Sequence, residues 1–212
     1  MLEGLRRKSR KYTDLRVPVT LGLLHKLIRA LQIICSSNYE TRLFASAFSL
    51  LFFALLMGGE ITTDSNSVPG CHTIYFENVS FLDEELYLKI LSSKADQRQN
   101  YITLFFPPQD TDVCPVKLLR EYLKVGSPAR LGPLFLHFDG SVLTRYQFNS
   151  VLQKALKFCD VTDHIRSQSF RIGGATELAR IGVPDSDIKS WGRWSSGAYL
   201  SYTRLDFGVI SV

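Results

Sequence analysis

One run constrains this 212-residue chain more than any other: Leu43 to Gly59, LFASAFSLLFFALLMGG. A helix that is apolar on every face has two homes, a bilayer or the centre of a protein core. A span needs about 20 such residues, and this run is slightly short. It also contains Ser46 and Ser49 and is bounded by Arg42 and Glu60. A central core helix is therefore the expectation, with no membrane partner. The composition agrees, since 45% hydrophobic and 21% charged residues suit a globular domain that buries a core without staples.

The segments around the run carry start signals for further helices. Thr20 can cap a helix in which Leu21, Leu24, Leu27, Ile28 and Leu31 share a face. Ser37 and Glu40 form a capping-box pattern, predicting a helix that runs through the apolar stretch and stops near Gly58-Gly59. The middle changes character. Thr73–Phe76, Leu86–Leu91 and Tyr101–Phe106 read as short strands, the last two flanking a polar hairpin tip, Ser92–Asn100. Pro115 suits a first helical turn. Leu134–Leu136 reads as a short extended piece ended by Asp139-Gly140, and Thr144 caps a helix with Phe148, Val151, Leu152, Ala155 and Leu156 inward. From Ser167 the pattern is of short helices broken at Gly173-Gly174, Gly182-Val183-Pro184 and Gly192. The expected fold is mainly α with one small antiparallel β-sheet, an α+β domain. Residues 1–15 read as a basic arm or linker and residues 16–212 as the domain.

Composition narrows the chemistry. Cys35, Cys71, Cys114 and Cys159 are far apart, as are His25, His72, His137 and His164. Neither set has metal-ligand spacing or a disulfide framework, so no metal is expected and the thiols fit a reducing compartment. The formal charge of +5 is compatible with nucleic acid without demanding it. Arg6, Arg7, Lys8, Arg10 and Lys11 suit phosphate contacts, or simply a solvated tail.

The C-terminal run carries the strongest pattern. It reads Gln168-Ser-Phe-Arg171-Ile-Gly-Gly-Ala175-Thr176, then Gly182-Val-Pro184, then Trp191-Gly-Arg-Trp194-Ser-Ser196, then Ala198-Tyr199-Leu-Ser-Tyr202-Thr203. This resembles the second block of the tyrosine recombinases, the phage-integrase family: H-x-L-R-x-x-x-A-T, a G-V/I turn, L-G-H/W-S-S, then Y-T. The wording is nearest to recombinases of DIRS-type retrotransposons and Cryptons. The likeness extends upstream. Pro18-Val-Thr20 looks like the start of the catalytic domain. Phe53 to Ile61 looks like the first block, F-x-F-L-R-x-x-E-L. Ser93-Lys94-Ala-Asp96 looks like the hairpin S-K-T-D. Several pieces in order at near-matching spacings are far more specific than one motif. They argue against a helical interaction or membrane-associated protein that matches by chance. No counterpart of the family's separate DNA-clamping domain is expected upstream of residue 16.

The resemblance implies covalent catalysis on a phosphodiester. A tyrosine attacks phosphorus and leaves a 3′-phosphotyrosine link. Arginine forks hold the phosphate oxygens, and a hairpin lysine protonates the leaving 5′ oxygen. Matched residue by residue, Tyr202 is the nucleophile, with Tyr199 a weaker alternative because the spacing from Trp194 is about one residue short. Arg171 is the second catalytic arginine, Trp194 the H/W position, Lys94 the hairpin lysine, and Gln168 stands where the motif has histidine. Met57 occupies the first arginine's position and carries no charge. Two functions follow from the resemblance: a site-specific recombinase, or a module that grips DNA without cutting it. Either implies double-stranded DNA as partner, assembly as a tetramer on DNA, and no cofactor. The location is the nucleus in a eukaryote and the cytoplasm otherwise.

Overall fold

The computed structural model describes residues 16–64, 69–70, 72–91, 101–126, 131–194 and 197–204. Helix α1 spans Leu21–Ile34, and Thr20 Oγ1 accepts from Leu23 N at 3.2 Å, as the cap signal predicts. Helix α2 spans Asn38–Phe53, capped by Ser37. Only half of the predicted capping box forms. Ser37 Oγ accepts from Glu40 N, while the Glu40 carboxylate turns to His137 Nδ1 at 2.8 Å. A side-chain contact across the fold has outcompeted the local backbone contact.

The apolar run is the core helix. Ten of its residues from Leu43 to Phe52 are consecutive and buried, Ser46 and Ser49 included. Ser49 Oγ satisfies its burial by donating to Val113 O at 2.6 Å. No helix among the described residues is long and apolar enough to cross a membrane. Helices α1, α4 (Pro115–Val125) and α6 (Ser167–Arg180) pack around α2, and α5 (Arg145–Phe158) packs on α1. Phe48 meets Phe148 of α5 and Phe170 of α6 at ring-centroid distances of 5.3 and 5.1 Å.

Three boundaries differ from the sequence expectation. Helix α2 ends at Phe53 rather than near Gly58. Leu55 is left-handed at φ 47°, and the four-residue α3 (Gly58–Ile61) follows an extended link. Thr73–Phe76 is no sheet strand. Tyr75 makes one bridge with Pro133, and the next N–H, that of Ile74, donates to Glu60 O instead of continuing a ladder. The sheet's first strand is instead β1 (Val79–Leu82), paired with β2 (Glu85–Leu91), which pairs with β3 (Tyr101–Phe106). Asp83 and Glu84, both at positive φ, make the two-residue turn between β1 and β2. The architecture is thus mainly helical with one three-stranded antiparallel sheet.

The third difference is Gly173-Gly174, which does not break α6. A Cβ on Gly173 would lie 1.8 Å from Val19 O, and one on Gly174 would lie 2.1 Å from Phe52 O. Both glycines let α6 press against other backbones. The chain does break at Gly182 (φ 82°). Helix α7 (Asp185–Gly192) follows, and then a 3₁₀ turn at Gly197–Ser201.

Candidate functional site

Two segments meet at one place. The first is the C-terminus of α2, whose last carbonyls lack helical partners. Trp191 Nε1 donates to Phe53 O at 2.9 Å. Arg171, from the first turns of α6, donates to Leu55 O and to Gly192 O. Arg193 also donates to Leu55 O, at 3.3 Å. Two guanidiniums therefore converge on one carbonyl oxygen.

The second is the segment that follows α7. Arg193 closes that helix in the left-handed region at φ 59°. Gly192 beside it has no room for a Cβ, which would fall 1.9 Å from the Trp194 ring. The missing side chain lets the indole fold back over Arg171, whose guanidinium carbon lies 4.2 Å from the Trp194 centroid and 5.5 Å from that of Tyr202. The two rings contact each other at 5.0 Å. Gln168 Nε2 donates to Tyr202 Oη at 3.0 Å. Thr176 Oγ1 donates to Tyr202 O and accepts from Arg204 N, which fixes the chain on both sides of the ring.

The electrostatics are lopsided. Arg171 is 4% exposed, and the side chains of Arg193 and Glu60 are 3% and 1% exposed. Glu60 pairs with Arg193 at 2.9 Å and also accepts from Met57 N at 2.6 Å. Among the described residues, two buried guanidiniums face one buried carboxylate. Burial and then the neighbouring Arg193 pull the Arg171 pKa down to about 10, against the pull of Glu60. Burial lowers that of Arg193 too, while Glu60 holds it up. Arg171 Nε and Arg193 Nη1 are buried and hydrogen-bond to nothing among the described residues.

The structure thus brings together four residues singled out from the sequence: Gln168, Arg171, Trp194 and Tyr202. Tyr199 stands apart. Its hydroxyl donates to Asp185, which raises its pKa, and its ring packs with Leu55, Ala175 and Ile188. Met57 contributes a backbone N–H to Glu60. Lys94, the basic arm and Ser195-Ser196 lie outside the described residues. Sequence reasoning missed Arg193 and the pairing of Glu60. One signal was available, because a glutamate directly after a seventeen-residue apolar run needs a cation. Which cation could not be read, since Arg193 is 133 positions away. No group of His, Cys, Asp and Glu among the described residues could hold a metal ion.

No protein-family model matches the sequence, and no curated protein matches it. Solved structures do match. XerH site-specific recombinase, in a post-cleavage complex with palindromic difH substrate, superposes at TM-score 0.69 and 15% identity. The match covers 92% of this chain and 51% of XerH, so this chain spans about half the length of that relative. XerA recombinase matches at TM-score 0.65 and 16% identity over 93% of this chain and 62% of XerA. The Tn1549 transposon integrase, bound to circular intermediate DNA, matches at 0.60 and 13% over 91% and 62%. At such identities the likeness is one of fold, and the fold is that of the tyrosine-recombinase catalytic domain.

Proposed function

We propose that this chain is a tyrosine recombinase domain that binds double-stranded DNA and cleaves and rejoins a strand through a 3′-phosphotyrosine link at Tyr202. The observation that carries the reading is the Tyr202 hydroxyl, held by Gln168 beside a guanidinium stacked under Trp194, in a fold shared with DNA-bound recombinases. Tyr202 Oη attacks phosphorus, forming an O–P bond as the bond to the 5′ oxygen breaks. The phenol proton leaves to water, and Lys94 protonates the departing 5′ oxygen. Arg171 holds the non-bridging oxygens with its planar fork. Trp194 steadies the phosphate, and Gln168 orients the phenol without shuttling a proton.

The wording of the C-terminal motif supports kinship with the recombinases of DIRS-type retrotransposons and Cryptons. Residues 16–212 form the domain and residues 1–15 a phosphate-binding arm. The chain works as a tetramer on DNA without a cofactor, in the nucleus of a eukaryote or in the cytoplasm otherwise.

Met57 favours a second reading, a domain that grips DNA but no longer cuts it, since losing one preorganised charge typically costs about 10²–10³ in rate. The test is covalent trapping on nicked duplexes that lose a short strand after cleavage. A denaturation-resistant adduct from wild type, absent in Tyr202→Phe, is the expected result. DNA binding with no adduct from wild type, and an adduct from Met57→Arg, assigns the chain to the second reading.

A further inference from the structure

We propose that Arg193 is the second phosphate-contacting cation of this site and supplies the charge that Met57 does not. This rests on the DNA-cleaving reading for its ligand, a phosphodiester, and otherwise on the arrangement of the two buried arginines alone.

Glu60 neutralises one of the two buried guanidiniums and leaves the other without a counter-charge among the described residues. A buried unpaired charge is strongly unfavourable, and an arriving anion is the simplest way to relieve it. The two arginines already share an oxygen acceptor, Leu55 O. That carbonyl sits where an anionic oxygen would take both guanidiniums. Capping α2 explains those two bonds, yet it leaves Arg171 Nε and Arg193 Nη1 unused. Both are donors that a phosphate accepts.

The backbone points the same way. Leu55 (φ 47°) and Arg193 (φ 59°) are both left-handed without being glycine, and they meet at this carbonyl. A helix ending in that conformation prefers glycine. Here the glycine stands one position earlier, and the left-handed position holds an arginine. Strain of this kind persists where the side chain has a task, and it clusters at ligand clamps and switches. Pairing with Glu60 is part of that task and orients the fork. The Trp194 and Tyr202 rings cover Arg171, so a phosphate reaches that guanidinium only once those rings move aside.

The experiment titrates the 212-residue chain, with its arginine side chains ¹⁵N-labelled, with inorganic phosphate, a probe that needs no target sequence. Arg171→Lys and Arg193→Lys assign the two Nε–H signals. The expected result is that both signals move along one binding curve. Movement of Arg171 alone, or of neither, overturns the proposal. Arg193→Lys keeps a charge for Glu60, so it remains folded, but it loses the fork. Phosphate affinity then falls about tenfold, the scale of one charge-assisted hydrogen bond. Adding Met57→Arg to Arg193→Lys restores it. A merely structural arginine predicts no such rescue, and absence of rescue also overturns the proposal. Duplex binding is measured in parallel. Wild-type protein that binds DNA while Arg193 stays silent sinks only this inference. Protein that binds no DNA while both arginines respond to phosphate sinks the recombinase reading and leaves the two-arginine anion pocket standing.

Discussion

At the scale of single residues, the site lacks a proton carrier as well as the charge missing at Met57. Gln168 holds the Tyr202 hydroxyl at 3.0 Å but cannot exchange a proton near neutrality. Gln168→His is expected to raise the rate of adduct formation by about 10²-fold, the lower range for a positioned acid or base. Adduct yield against time and pH reads this, and the new pH dependence should fall near the ordinary imidazole range. An unchanged rate would mean that proton transfer does not limit the step. A second residue titrates in the body of the fold. Glu40 beside Nδ1 raises the His137 pKa above its ordinary value, outweighing the opposing effect of burial. A raised pKa means that the folded state binds the proton more tightly than the unfolded chain. The stabilisation is therefore complete below the unfolded imidazole pKa, about 6.5, and is lost as pH rises through the higher folded value. Denaturant midpoints measured at about pH 6 and about pH 8.5 should differ in wild type, with the acidic midpoint higher, and the difference should shrink in Glu40→Gln. Of the site residues, Gln168, Arg171, Trp194 and Tyr202 were legible because one contiguous motif carries them. Arg193 lies in that motif too, but its importance depends on Glu60 and Leu55, which only folding brings near.

At the scale of elements, local signals set the helix starts and tertiary contacts set the helix ends. Thr20, Ser37 and Thr144 each cap the helix their position predicts, because a cap is a contact over three residues. The end of α2 has no such local cause. Nothing in LLFFALLMGG forbids a longer helix, and the break at Leu55 is held by arginines 116 and 138 positions away. The turn at Asp83-Glu84 was missed because that dipeptide lacks the glycine that usually marks it. Gly173-Gly174 misled for the opposite reason, since glycine marks both a break and a close crossing. Substitution separates the two. Ala ordinarily stabilises a helix over Gly by about 0.5–1 kcal/mol. At Gly174 a Cβ would instead meet Phe52 O at 2.1 Å and Leu55 Cδ2 at 2.6 Å. Gly174→Ala is expected to destabilise by about 1–3 kcal/mol. Gly22→Ala in α1, with open space around it, should leave stability unchanged or raise it. Thermal melts of the two variants should move in opposite directions. A rise for Gly174→Ala would show that α6 does not press on α2 as described.

At the scale of the whole molecule, the site is a seam between two packed units. The large core wraps α2, while a smaller cluster gathers Leu55, Ala175, Ile188 and Tyr199 against Trp191, Trp194 and Tyr202. Arg171 and Arg193 lie where these clusters touch. On the proposed reading Arg171 and Arg193 take one phosphate, and one phosphate supplies little of the affinity of a DNA-binding protein. Affinity comes from many backbone contacts and shows itself in salt dependence, with log K falling by about 0.9 per log unit of salt for each phosphate neutralised. Residues 1–15 carry Arg6, Arg7, Lys8, Arg10 and Lys11 in one short stretch. If that stretch follows a DNA strand, its removal lowers the slope by about 0.9 for each phosphate it had neutralised, up to about 4.5. The rate of adduct formation at saturating DNA should be unchanged, because no residue of the pocket is removed. Binding measured over a salt series with and without residues 1–15 reads the first, and single-turnover trapping reads the second. A slope that does not change means the arm is a solvated linker, and the phosphate contacts must then lie on the folded domain. A rate that falls with an unchanged slope means that the arm contributes to the cleavage step and not to the phosphate contacts.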